Sequence, residues 1–113
     1  MAAVLSASTL MGDKVKNLAG EDLGEVEDIV IDLKSGRVAY VVVSFGSGFM
    51  HGGKLFAIPW ASLGVDQGDK KFILDVPREK LETAEGFDKD HWPDMANPDF
   101  FTRTYAFYGV QPW

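Results

Sequence analysis

The chain has 113 residues, with 17 acidic and 11 basic side chains, a formal net charge of −6 and no cysteine. That length predicts one domain, able to hide roughly 65% of its unfolded surface in a core without covalent staples. The acidity argues against nucleic-acid binding through a basic face, and the missing thiols exclude disulfides, a cysteine nucleophile and a zinc ribbon.

At the N-terminus, Met1-Ala2-Ala3-Val4-Leu5 has no positive flank and too short an apolar run for a secretory leader. The longest stretch free of Lys, Arg, Asp and Glu is residues 38–53, 16 residues including four glycines. A spanning helix needs about 20 predominantly apolar residues, so no membrane insertion is expected and the expected compartment is the cytoplasm.

Short strands then alternate with turn chemistry. A strand over residues 14–18 leads through Gly20-Glu21-Asp22-Leu23-Gly24 into a longer one over 25–33. In the longer strand Ile29, Ile31 and Leu33 alternate on one face, with Asp28 and Asp32 beside Val26 and Val30 on the other. Asp32-Leu33-Lys34-Ser35-Gly36 reads as a hairpin loop with Gly36 free to take positive φ. Residues 37–45 are almost wholly apolar, the pattern of a strand covered on both sides, as in a small barrel or a dimer seam. After a glycine-rich loop at 46–53, residues 54–58 return as a strand that Pro59-Trp60 ends, and 61–63 fit one helical turn. Asp66-Gln67-Gly68-Asp69 turns the chain into a last strand over 71–76.

Short strands with tight turns and no room for crossover helices imply a small antiparallel β-barrel. The helical signal is confined to residues 77–85, with Pro77 at the start and Gly86 as the stop. Beyond it the composition changes. Residues 1–74 hold 9 acids and 7 bases, residues 75–99 hold 8 and 3, and residues 100–113 hold only Arg103. Residues 87–113 carry 8 of the 14 aromatics, six of them after Asp99. A monomer that left all of these in water would aggregate, so the segment is expected to dock on its own barrel, on a second copy or on a partner.

Three patterns imitate active sites. Gly48-Phe49-Met50-His51-Gly52-Gly53-Lys54-Leu55 matches seven positions of a phosphate-binding loop. Leu55 replaces the magnesium-binding hydroxyl, however, and a strand follows where a helix is required. His91 beside Asp88, Asp90 and Asp94 lacks the glycine turn and bidentate glutamate of a calcium loop and reads as a solvated acidic collar. Asp28 and Asp32, with Glu25 and Glu27 nearby, imitate a carboxylate pair on what reads as a solvent face. No residue is assigned a catalytic, cofactor-binding or metal-ligating role, and no cofactor is expected.

Several ordered motifs resemble the PRC-barrel family. They are Met11-Gly12-Asp13-Lys14-Val15, Asn17-x-x-Gly20-Glu21-x-Leu23-Gly24, Asp28-Ile29-Val30-Ile31-Asp32 with Ser35-Gly36-Arg37-Val38-Ala39-Tyr40, and Ser44-Phe45-Gly46. Lys54-Leu55-Phe56-Ala57-Ile58-Pro59-Trp60 continues the series. Phe87-Asp88-Lys89-Asp90-x-Trp92-Pro93-Asp94 and Tyr108-Gly109 are similar to the tail of small stand-alone bacterial members. Phe49-Met50-His51-Gly52-Gly53 departs from the glycine pattern of relatives. The resemblance implies a small β-barrel used as an assembly module. Family branches include the cytoplasmic domain of the photosynthetic reaction-centre H subunit and the C-terminal domain of a ribosome-maturation factor. Neither the membrane helix of the first nor the separate N-terminal barrel of the second is expected here.

The resulting expectation is a mainly β protein: an antiparallel PRC-type barrel over about residues 8–86, one short helix, and an extended acidic and aromatic tail over 87–113, all one domain. Its expected function is non-catalytic protein–protein interaction, as a homodimer formed through barrel edge and tail, with an unidentified protein partner and no direct nucleic-acid contact. The alternatives are a ribosome or RNA-maturation accessory acting through protein contacts, and a module binding a small ligand or ion. Trp92, Phe100, Phe101, Tyr105, Phe107, Tyr108 and Trp113 are the expected interaction residues.

Overall fold

A computed structural model describes residues 5–45, 54–66 and 68–111, and among them are six strands. They are β1 (Lys14–Lys16), β2 (Asp22–Ile31), β3 (Val38–Phe45), β4 (Lys54–Pro59), β5 (Leu63–Asp66) and β6 (Lys71–Leu74). Three short helices join them: α1 (Ala7–Leu10), α2 (Arg78–Glu82) and α3 (Pro98–Phe107). The helical turn expected over residues 61–63 falls one residue earlier, as a 3₁₀ turn at Trp60–Ser62. No helix among the described residues is long and apolar enough to cross a membrane.

The sheet order is β4-β3-β2-β1-β6-β5. Strands from both ends of that order reach one core: Ile58 of β4 is fully buried in it, and Leu63 of β5 packs against it. The sheet is therefore curled into a half-barrel around Val15, Val26, Val41, Phe56 and Phe72, and the mainly β expectation holds. Leu10 and Leu81 bring the first two helices onto the same core. Among the described residues the strands pair antiparallel except β1 and β6, which run parallel. The expected antiparallel barrel holds apart from that pair. The long excursion from β1 through β2–β5 supplies the crossover that a parallel pair requires.

Turn chemistry follows the sequence closely. Asp32 Oδ2 accepts from Ser35 N at 3.0 Å and from Ser35 Oγ at 2.6 Å, and Gly36 takes φ +75°. Asn17 is buried, yet its amide is used in full. It donates to Glu21 Oε1 at 2.7 Å and to the Val76 carbonyl at 3.1 Å, and accepts from Glu21 N at 2.9 Å. One side chain thus closes the β1–β2 turn and ties it to the segment after β6. Gly24 has φ +141°, and a Cβ there would collide with the Ser44 carbonyl, so β2 and β3 approach too closely for any other residue.

Two sequence expectations fail for local reasons. The strand face Ile29, Ile31, Leu33 does not persist, because register shifts fall between Val26 and Asp28 and between Val30 and Ile31. Each shift resets the side-chain alternation. Val26 turns into the main core, Ile31 is half exposed, and Leu33 lies beyond the strand at the exposed hairpin tip.

The second failure concerns the tail, which is not extended throughout and is not preceded by the only helix. Residues 98–107 form α3. The Asn97 side chain caps its N-terminus by accepting from Asp99 N at 2.8 Å, and Pro98 occupies the first turn. At the other end Gly109, φ +71°, donates to the Ala106 carbonyl and Val110 N to the Tyr105 carbonyl. These two bonds form a glycine-terminated Schellman cap.

Candidate interaction surface

β3 is covered on both faces. Val41 and Val43 enter the main core, while Ala39 and Tyr40 join Ala57 of β4 in a second cluster that receives Phe100 and Tyr105 of α3. Sheet pleating puts Tyr40 on the side opposite Val41 and Val43, and Ala39 joins Tyr40 because the β2–β3 register shift falls beside it, between the pairs Val30–Tyr40 and Ile31–Val38. The aromatic segment therefore docks on its own barrel.

Tyr40 anchors that contact. Phe100, Phe101 and Tyr105 pack edge-on around its ring, with centroids 5.8, 5.9 and 5.8 Å away, while Phe101 stacks on Tyr105 at 4.3 Å. Tyr105 Oη donates a buried 2.7 Å hydrogen bond to the Ala39 carbonyl. The Tyr40 hydroxyl is buried with no hydrogen-bond partner among the described residues. Burial pushes the phenols of Tyr40, Tyr105 and Tyr108 above their ordinary range, and for Tyr40 the neighbouring Tyr105 adds to the effect.

Polar contacts at the rim fix how α3 lies. Arg103 reaches Glu85 with two parallel bonds of 2.7 and 2.9 Å while its guanidinium lies 5.2 Å over Phe100. The guanidinium holds the Glu85 carboxyl below the usual range. Both partners are about half exposed, so the pair sets orientation more than stability. Upstream, Leu55 and Phe87 exchange two backbone hydrogen bonds of 2.9 Å, which stitches the approach to α3 onto the outer edge of β4.

The expected interaction residues thus separate. Phe100, Phe101 and Tyr105 meet around Tyr40. Phe107 and Tyr108 pack instead against the main core, with Lys80 Nζ 5.1 Å over the Phe107 ring. Trp92 stays 42% exposed, edge-on to Phe87 at 5.3 Å. Trp113 lies outside the described residues, as do His51 and the whole 46–53 loop with its phosphate-loop pattern. Asp32 is taken up by its own turn. His91 and Asp88 stand 3.9 Å apart on the surface, and no metal-holding cluster occurs among the described residues.

What sequence reasoning missed is the surface beside α3. A groove of about 660 Å³ runs between the β2–β3 hairpin and the start of α3, lined by Val30, Ile31, Leu33, Met95 and Phe101. Its outer lip is the hairpin tip, where Leu33 is 93% exposed and Ile31 50%. The available signal was a leucine placed between Asp32 and Lys34 in a turn, where no core demands it.

Residues 3–81 match the family model of the PRC-barrel domain. The chain is a member of that family. No curated protein matches it. In this PRC-barrel protein the match takes in all six strands and stops inside α2, at Leu81. The Asn17–Gly20–Glu21 turn and the Gly24 close approach fall within it, so those motifs have a structural reason to be there. α3, Met95 and Phe101 fall outside it, so half of the groove is an addition to the matched PRC-barrel region.

Proposed function

We propose that this PRC-barrel protein is a non-catalytic, cytoplasmic protein–protein interaction and assembly module of a bacterial type, acting as a homodimer. One observation carries the proposal. After α3 has docked on its own sheet, an apolar strip still faces solvent along Ile31, Leu33 and the adjoining groove. Contiguous apolar surface on a soluble monomer commonly marks a protein contact, and symmetric dimers are the commonest way to cover it.

The titratable groups support a structural role. The displaced phenols are accounted for by burial, and the Glu85–Arg103 pair by mutual attraction. The net charge of −6 favours contact with protein over nucleic acid. A second reading has its own observation: the groove volume of 660 Å³ lies within the range of about 300–1,000 Å³ common to small-molecule sites. Sedimentation equilibrium across a wide concentration range separates the two. The expected result is a shift to twice the chain mass of 12.4 kDa. A chain that stays at the single mass throughout overturns the homodimer and leaves the ligand-binding module.

A further inference from the structure

We infer that the surface of self-association is the groove between the β2–β3 hairpin and the start of α3, and that its occupant is the same hairpin of a second copy. This rests on the homodimer reading above and moves the contact from the barrel edge to the hairpin, keeping Phe101 alone of the tail aromatics. In a two-fold contact each copy presents the same patch, so a projecting element and the recess that receives it must sit side by side on one face. They do here. Leu33 stands out at the hairpin tip, 93% exposed, and the recess beside it is lined by Val30, Met95 and Phe101.

The charges are self-complementary in the same way. Asp32 and Lys34 flank Leu33, and both line the groove. A two-fold axis through the face sets Asp32 of one copy toward Lys34 of the partner subunit, and the reverse. The hairpin is also held in shape before contact, because the Ser35 amide and hydroxyl both donate to Asp32. An insert that is already ordered loses little entropy on docking.

The strand edges are poorer seats. The outer edge of β4 is occupied by Phe87 at Leu55, and Pro59 at the other end of the strand has no N–H to offer. At the opposite end of the sheet, β5 is only four residues long. The contact therefore runs face to face.

The test is sedimentation velocity of the full chain carrying Leu33→Asp, Lys34→Glu or, as a control, Leu18→Asp. Leu18 is 72% exposed beyond the opposite end of β2, a ten-residue strand, so it sits roughly 30 Å from the hairpin tip. All three positions are exposed, and melting curves of the variants should overlay that of the parent at a concentration where all are monomeric. Leu33→Asp should weaken the dimer at least about tenfold by placing a carboxylate in an apolar recess. Lys34→Glu should weaken it about three- to tenfold by opposing Asp32 of the partner subunit. Leu18→Asp should leave it unchanged. If the parent dimerises and neither Leu33→Asp nor Lys34→Glu alters its affinity, the groove is the wrong surface while the homodimer stands. If the parent is monomeric at every concentration, both fall.

Discussion

Two tyrosines 65 positions apart illustrate how differently the same side chain works at the residue scale. Tyr105 donates to the Ala39 carbonyl inside the α3–sheet contact, whereas Tyr40, its ring 5.8 Å away, has a buried hydroxyl that meets no partner among the described residues. Removing the first hydroxyl takes a donor away from a carbonyl inside the buried contact; removing the second takes an unpaired polar group out of the interior. Tyr105→Phe should therefore cost about 1–2 kcal/mol, while Tyr40→Phe should be neutral or stabilising by up to about 1 kcal/mol. Urea denaturation of the two variants settles this, and an equal loss from both would refute the assignment of the hydrogen bond. The sequence marks Tyr40 as part of an apolar run and so as buried. It carries no sign of which tyrosine is paired, since the partner is a backbone carbonyl chosen by helix docking.

At the scale of elements, the turns and strands were legible because their signals are local. Asp32, Ser35 and Gly36 specify the hairpin among themselves, and residues 38–45 declare a doubly covered strand by composition alone. β2 was harder, because its two register shifts depend on how β3 pairs with it and leave no local trace. α3 is the instructive case. Its cap residues, Asn97 and Pro98 at one end and Gly109 at the other, are all written in the chain. Between them stand aromatic and β-branched residues of modest helix propensity, and ten residues make a marginal helix in isolation. Its stability comes from the sheet it covers, which a reading of the tail alone does not contain. Phe100 is one of its buried anchors, at 4% exposure, so Phe100→Ala should destabilise the protein by about 3–5 kcal/mol in the same urea assay. Truncation after Gly86 should uncover Ala39, Tyr40 and Ala57 and make the barrel aggregate. A truncated chain that stays monomeric with an unchanged melting temperature would show that α3 is not part of the core.

Over the described residues the molecule is a half-barrel whose outer face at β3 and β4 is covered by its own C-terminal helix. The charge asymmetry of the sequence follows that division. The barrel is nearly balanced, and residues 75–99, with 8 acids and 3 bases, form the connection to the covering helix. That connection also lends Glu85 to Arg103, the one base after residue 99. The candidate surface was legible only in its parts, since Leu33 and Met95 lie 62 positions apart and become neighbours through the docking of α3.

All three tyrosines of the chain, Tyr40, Tyr105 and Tyr108, report on that docking, because burial raises each of their phenol pKa values. The folded state holds these protons more tightly than the unfolded chain does. Their contribution to stability is therefore complete below the unfolded value of about 10 and is lost as pH rises from there through the folded values. The most direct test is an alkaline titration of phenolate absorbance, run beside circular dichroism at a concentration where the protein sediments as a monomer. No tyrosine should ionise while the fold persists near pH 10, and all three should appear together with cooperative unfolding at higher pH. Free titration of Tyr40 near pH 10 in a folded monomer would mean that α3 does not cover its own sheet.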